Sequence, residues 1–217
     1  MHGFVHWFIK ITGWIPFGLA FRNKTYYEDK KAKPSKVKGK AIIVSNHYSV
    51  WDYPALMFAI PGRTLRCQVA ELMFRKNPFM TLLMKAMGAV KVDRDTHNFA
   101  FIEKSEKILN KGGTMLIFPE SRIPRPEEEK PLPFKPSAVM IALETGAPVI
   151  PVAVNGSYFN KRPSRILIGK PIDLSEWYDT ALSKKENVAR INDRLRDKVV
   201  ELKHELEKRE KEEKERK

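Results

Sequence analysis

Short β-branched runs alternate with helical stretches through the middle of the chain, and this alternation constrains the fold more than any other feature. AIIVS (41–45), TLRCQVA (64–70), GAVKV (88–92), TMLIF (114–118), VIPVAV (149–154) and RILIG (165–169) read as strands. MFRKNPFMTLLMKAM (73–87), NFAFIEKSEKILNK (98–111) and SAVMIALET (137–145) read as helices, the second of them closed by Gly112-Gly113. Strands apolar on both faces that alternate with helices predict an α/β domain over residues 31–182. Its sheet is expected to be central, mostly parallel and flanked by helices. No internal repeat is visible. A chain of 217 residues, 42% of them hydrophobic, supplies one such core with a small appendage at an end.

Both ends differ from this middle. Residues 1–30 begin with MHGFVHWFIKITGWIPFGLAFRNK, the most apolar stretch of the chain. It lacks the basic start and small-residue cleavage site of a secretory signal. Lys10, Gly13, Pro16 and Gly18 interrupt a segment of about the length that a spanning helix needs. Because proline removes a donor and biases the preceding residue away from helix, two short helices broken near Gly13–Pro16 are expected. Trp7, Phe8 and Trp14 suit the headgroup boundary of a bilayer, so this segment is read as docking on a membrane; packing on the domain core is the competing reading. Residues 183–217 predict a long helix whose apolar stripe runs from Val188 through Ile191, Leu195, Val199 and Leu202 to Leu206. Past Leu206 only charges remain, and that end is expected to fray in solvent and to carry no chemistry.

Charge narrows the partners. The net charge is +14, and the last 17 residues, with seven acidic and seven Lys or Arg side chains, contribute none of it. A basic body selects an anionic partner: nucleic acid, an anionic membrane or a phosphate-bearing small molecule. There is no basic strand interleaved with aromatic residues, so nucleic acid is not expected. The single cysteine, Cys67, excludes a disulfide framework and sits in a strand pattern, where it reads as a buried structural thiol in a reducing, cytosol-facing protein. No metal-ligand spacing is present, and neither a metal nor a cofactor is expected.

The strands end in polar residues. AIIVS runs into Asn46-His47, GAVKV into Asp93-Arg94, and TMLIF into Pro119-Glu120-Ser121-Arg122. In open α/β sheets ligands bind beyond the carboxyl ends of strands, so parallel neighbours would gather these groups on one rim. Within SNHYSVWD (45–52), a loop-to-helix junction can fold Asp52 back against His47, with Asn46 or Ser45 as the helix N-cap and Pro54 in the first turn. A carboxylate on one ring nitrogen makes a histidine an oriented base. No G-x-S-x-G elbow or other covalent nucleophile accompanies it, so the base would activate a hydroxyl carried by a substrate, and the arginines suit a phosphate on that substrate. At this spacing alone, a polar turn that merely caps the next helix is the more ordinary outcome.

Together the strand-end clusters resemble those of the glycerolipid acyltransferases, the lysophosphatidic acid acyltransferase group. That family's first motif, N-H-x-S-x-x-D, is matched by Asn46, His47, Ser49 and Asp52. Gly88-Ala-Val-Lys-Val-Asp-Arg94 matches the second, Phe118-Pro119-Glu120-Ser121-Arg122 part of the third (F-P-E-G-T-R), and Val149-Ile150-Pro151-Val152 the fourth. The resemblance spans roughly residues 40–175. It implies acyl transfer from acyl-CoA or acyl-carrier protein to the free hydroxyl of a lysophospholipid, with phosphatidic acid as product, on the cytoplasmic face of a membrane held from one side. It makes His47 the base and Asp52 its orienting partner. Arg94, Glu120 and Arg122 would hold the glycerophosphate end, with Asn46, Ser49, Ser121 and Pro151 completing the substrate-binding set. The chain departs from the pattern at Ala70, where a phosphate-contacting lysine is usual, at the shortened third motif, and at Ser137, where a glycine is usual. Arg66, Arg75 or Lys76 would replace the lysine, and Arg125 would stand in for Arg122. Two alternatives stay open: a different lysolipid or glycerol-3-phosphate as acceptor, or a non-enzymatic module that binds anionic membranes. Met80, Met84 and Met87 read as a core stripe or the wall of an acyl tunnel, and Glu127–Glu129 as a solvated loop.

Overall fold

The computed structural model describes residues 2–29, 33, 36–93, 99–159 and 162–216. Helix α1 (His2–Phe21) leads to strand β1 (Lys24–Tyr27), and β2 (Ala41–Ser45) leads to α2 (Asp52–Ala59). Strand β3 (Leu65–Ala70) is followed by α3 (Glu71–Lys76), α4 (Pro78–Ala86) and β4 (Val90–Val92). Next come α5 (Ala100–Asn110), β5 (Thr114–Ile117), α6 (Ser137–Thr145), β6 (Val149–Val154), β7 (Arg165–Ile168) and α7 (Lys184–Glu215). The seven strands form one sheet in the order β1-β7-β6-β2-β5-β3-β4. Among the strand pairings of the described residues, β6–β7 alone is antiparallel, so β1 and β7 run against the other strands.

Every residue of β2, β5, β6 and β7 is buried, as their unbroken apolar sequences require of strands covered on both faces. Alternation along a strand splits these side chains between two cores. Ile43, Ile150 and Val152 pack with Phe21 of α1 and with Leu56 and Met57 of α2. Ile42, Val44 and Val149 pack with Leu109 of α5, Val139 and Ile141 of α6, and Ile191, Leu195 and Val199 of α7. The result is a three-layered α/β fold. Its sheet reaches into the first thirty residues, since β1 pairs with β7 from Lys24↔Arg165 to Tyr27↔Ile168.

Several elements differ from expectation. The N-terminal segment is one continuous helix with Pro16 inside it. Contacts on both sides of the proline hold it: a Cβ on Gly13 would lie 2.9 Å from the Phe58 ring, and Phe17 and Phe58 stack at 5.0 Å. The 73–87 stretch is two helices, because the Asn77 side chain caps a new start at Pro78, accepting from the Phe79 and Met80 amides. Met80 and Met84 are not core residues; Met80 is 41% exposed and only Met87 is buried. The charged end of α7 is not frayed: Glu213 bonds Lys24 (2.7 Å), Arg165 (3.1 Å) and the Tyr26 hydroxyl, pinning the helix to the edge strand. At the start of this helix Ser183 and Glu186 form a reciprocal capping box.

Candidate active site

Strand β2 ends at Ser45, and the side chain of Asn46 continues its pairing with β6. Asn46 Nδ2 donates to the Val154 carbonyl (3.0 Å), and Oδ1 accepts from the Val154 amide (2.8 Å). This side-chain rung sets His47 at the carboxyl edge of the sheet. Asn46 and Ser45 are therefore not the N-cap of α2; Trp51 takes that place without a side-chain bond.

Residues 47–51 wrap the carboxylate of Asp52. Its Oδ2 accepts from His47 Nδ1 (2.7 Å), Tyr48 N (2.6 Å) and Ser49 N (2.8 Å), and its Oδ1 accepts from the Tyr158 hydroxyl (2.5 Å). Asp52 is completely buried, which an unpartnered carboxylate would not tolerate. Four donors and a position at the first turn of α2, where the helix dipole favours negative charge, offset that cost. With Nδ1 donating to the carboxylate, the unprotonated ring nitrogen of His47 is Nε2. The imidazole stacks on Phe118, ring centres 4.3 Å apart and 18° between planes, so its plane is fixed as well as its tautomer. The His47 side chain keeps 18% exposure, enough for a small group to reach Nε2.

The neighbouring strand supplies the support. β5 pairs with β2 in parallel, and the polar segment after β5 therefore lies beside His47. Glu120 accepts from the His47 backbone amide through Oε1 (2.7 Å) and from the Leu132 amide through Oε2 (2.8 Å). Burial raises its carboxyl above the ordinary range, and the two amide bonds oppose that shift. Both its oxygens are thus engaged with backbone that shapes the site. Ser121 turns the chain with φ 64°, a left-handed conformation that a non-glycine residue rarely adopts.

The remaining expected site residues are spread more widely. Ser49 lies in the turn, its Oγ accepting from the Trp51 amide (3.3 Å). Arg122 is exposed and held by Glu128 in a bidentate ion pair (2.6 and 2.5 Å), which Arg125 supports through its backbone amide (2.6 Å). Glu128 is therefore not merely a solvated loop residue; Arg122 and the Arg125 amide draw its carboxyl down to about 2. Pro151 is buried within β6, opposite Val44, and is not brought to the rim. Arg94 and the side chain of Lys76 lie outside the described residues; β4, which leads to Arg94, is the edge strand three places from β2. Arg66 lies beside Gly88 and Gly113, which precede β4 and β5, so it stands at the opposite rim and cannot replace a lysine near His47. Arg75 is exposed and paired with Glu71 (3.1 Å). Cys67 is buried, and burial pushes its thiol up to about 12, which leaves it inert.

Tyr158 is the functional residue that sequence reasoning missed. Burial first, then the Asp52 charge, raises its hydroxyl well above the ordinary value, so it stays a donor to that carboxylate. The available signal was the glycine two positions earlier. Gly156 has φ 67°, and a Cβ there would lie 2.6 Å from Cβ of Tyr48, so only glycine lets this loop close over the site.

This arrangement comprises a base with a fixed tautomer and a buried carboxylate behind it. It can remove a proton from a hydroxyl brought to Nε2 and return it to a leaving group. The family model named Acyltransferase matches residues 19–155, a span that contains His47, Asp52 and Glu120. The human 1-acyl-sn-glycerol-3-phosphate acyltransferase beta is 26% identical over 163 residues, covering 73% of this chain and 55% of its own length. The 1-acyl-sn-glycerol-3-phosphate acyltransferase of Bacillus subtilis (strain 168) is 29% identical over 136 residues, 60% of this chain and 65% of its own. This chain thus spans about half of the human relative's length and about two thirds of the bacterial one. Among solved structures, the 1-acyl-sn-glycerophosphate (LPA) acyltransferase PlsC from Thermotoga maritima shares the fold, with a TM-score of 0.66 at 23% identity over 93% of this chain and 80% of that one. Site geometry, fold and a family model that covers more than half of the residues converge: the chain belongs to the acyltransferase family.

Proposed function

We propose that this protein transfers an acyl group from a thioester donor, acyl-CoA or acyl-carrier protein, to the free hydroxyl of 1-acylglycerol-3-phosphate, giving phosphatidic acid. The observation that carries the reading is the His47–Asp52 pair, with Nδ1 bound to a buried carboxylate at 2.7 Å and Nε2 left for substrate. In the transfer, Nε2 takes the hydroxyl proton as the oxygen attacks the thioester carbonyl. Asp52 stabilises the imidazolium that forms. When the tetrahedral intermediate collapses, the C–S bond breaks, and the imidazolium returns the proton to the departing thiolate. The names of the relatives support the acceptor assigned. Arg122 and Arg94 would contact its phosphate, with Arg122 exchanging Glu128 for the ligand.

The same reading gives α1 to one leaflet of a membrane, on the cytoplasmic face where the donors are found. Phe4, Phe8, Ile11, Trp14, Ile15 and Leu19 of α1 are exposed, whereas His6 and Lys10 are buried against the body. A helix with its polar groups inward and its aromatic groups outward is suited to an interface and not to water. A second reading keeps the chemistry and changes the acceptor's head group; the commitment of Arg122 to Glu128 favours it.

Purified protein incubated with each donor and a panel of lysolipids, products identified by mass, tests both. His47→Ala is expected to abolish transfer while the protein stays folded. Near-normal turnover in that variant would end the mechanism, and exclusive use of a lysolipid without a phosphate monoester would replace the acceptor.

A further inference from the structure

Helix α4 poses a problem of its own. It is well made: Asn77 caps it, Pro78 starts it, and Thr81 Oγ1 donates to the Phe74 carbonyl (2.6 Å). Its sequence, PFMTLLMKA, is apolar nearly all round, yet none of its residues is buried. Phe79 is 70% exposed and Leu82 66%, and Leu72 of α3 is 63% exposed. An apolar helix of this kind is ordinarily enclosed.

The position of α4 indicates what encloses it. His2 at the start of α1 bonds the Ala86 carbonyl at the end of α4 (Nδ1 to O, 3.1 Å). Val5 and Ile9 of α1, Leu83 of α4 and Met87 at its end all pack on one core cluster. The exposed residues of both helices lie outside that shared cluster, and the His2–Ala86 bond brings the start of α1 to the end of α4. Arg75 and Lys85 flank the apolar residues, both exposed, as cations do beside anionic headgroups.

We propose that the outward face of α4, with Leu72 of α3, is a second membrane-contact element that enters the same lipid leaflet as α1. This rests on the reading that α1 docks on a membrane. Because α1 is fixed to the body through Lys10 and His6, a second contact through α4 would set the orientation of the body over the bilayer.

Single-cysteine labelling tests it, because Cys67 is buried and unlabelled wild type serves as the blank. An environment-sensitive fluorophore is placed at Leu82→Cys, at Phe8→Cys on α1, and at Glu176→Cys on an exposed turn. Vesicles of phosphatidylglycerol and phosphatidylcholine are then added to the full chain. The expected result is a blue shift and bilayer-depth quenching at positions 82 and 8 and neither at 176. A shift at 8 without one at 82 overturns the proposal and leaves the docking of α1 intact; no shift at either overturns both. Shielding at 82 that appears without vesicles and grows with protein concentration assigns the face to a second copy and also overturns it. As a second measurement, Phe79→Ser with Leu82→Ser is expected to weaken vesicle binding at least tenfold with an unchanged thermal midpoint, and unaltered binding counts against α4.

Discussion

Asp52 receives four donors, and the proposed mechanism assigns chemistry to one of them, His47, so variants of Asp52 separate positioning from proton transfer. Asp52→Asn would keep the shape, its oxygen still facing the Tyr48 and Ser49 amides, but remove the charge that stabilises the imidazolium, with an expected loss in kcat of up to roughly 10⁴ by analogy with other carboxylate-oriented histidines. Glu120→Gln tests the backbone support. Both Glu120 oxygens accept from amides, and a glutamine offers one acceptor and one donor group in their place. One amide is left facing an N–H, with an expected stability loss of about 1–3 kcal/mol by denaturant titration, together with a lower kcat at unchanged donor KM. At this scale the sequence was legible where chemistry and local spacing coincide. His47 and Asp52 are five residues apart and meet through one turn. Tyr158 reaches Asp52 from 106 residues away, which only the β2–β6 pairing brings about. Glu120 was visible as a strand-end acid, whereas its backbone partners were not.

At the scale of elements, α7 supports the site from outside. Asn192 donates to the Phe134 carbonyl (2.8 Å), Arg196 to those of Pro131 (2.8 Å) and Leu132 (3.4 Å), and Lys203 to that of Lys130 (3.4 Å). These residues share one face of the helix and hold the loop whose Leu132 amide binds Glu120. Arg196→Ala is expected to lower kcat roughly tenfold, equivalent to about 1.4 kcal/mol in the barrier. Arg196→Lys would restore part of it, and a normal kcat with reduced stability would make Arg196 merely structural. Periodicity revealed α7 and its apolar stripe, because a repeating burial pattern is written locally. The polar residues beside the stripe carry no such local mark, since their partners are carbonyls of a distant proline-rich loop. Strand β1 was missed for a related reason: KTYY has little apolar content, and its pairing with β7 spans 141 positions, as Lys24 meets Arg165.

At the scale of the whole molecule, α1 and α2 are bound at both ends. Lys10 Nζ donates to the carbonyls of Ile60 (2.9 Å), Pro61 (3.1 Å) and Arg63 (2.6 Å) beyond the end of α2, while Phe21 meets the Tyr158 ring at 5.6 Å near its start. His6, wholly buried, accepts from the Leu65 amide through Nε2 (3.1 Å). Burial and the nearby Lys10 charge lower its pKa from 6.5 to about 4. Between those values the unfolded chain binds more protons than the folded one, so stability is expected to fall as pH drops from 6.5 towards 4. Thermal midpoints across that range check this, and His6→Gln should flatten the profile while keeping an acceptor for Leu65. If α1 docks on a membrane as proposed, these contacts also limit how a detergent-free form can be made. Cutting the chain after Phe21 would strip three carbonyls of their shared cation and remove the ring beside Tyr158. Solubility would come instead from repainting: polar side chains at Phe4, Phe8, Ile11, Ile15 and Leu19, with His6, Lys10, Gly13 and Phe21 left as they are.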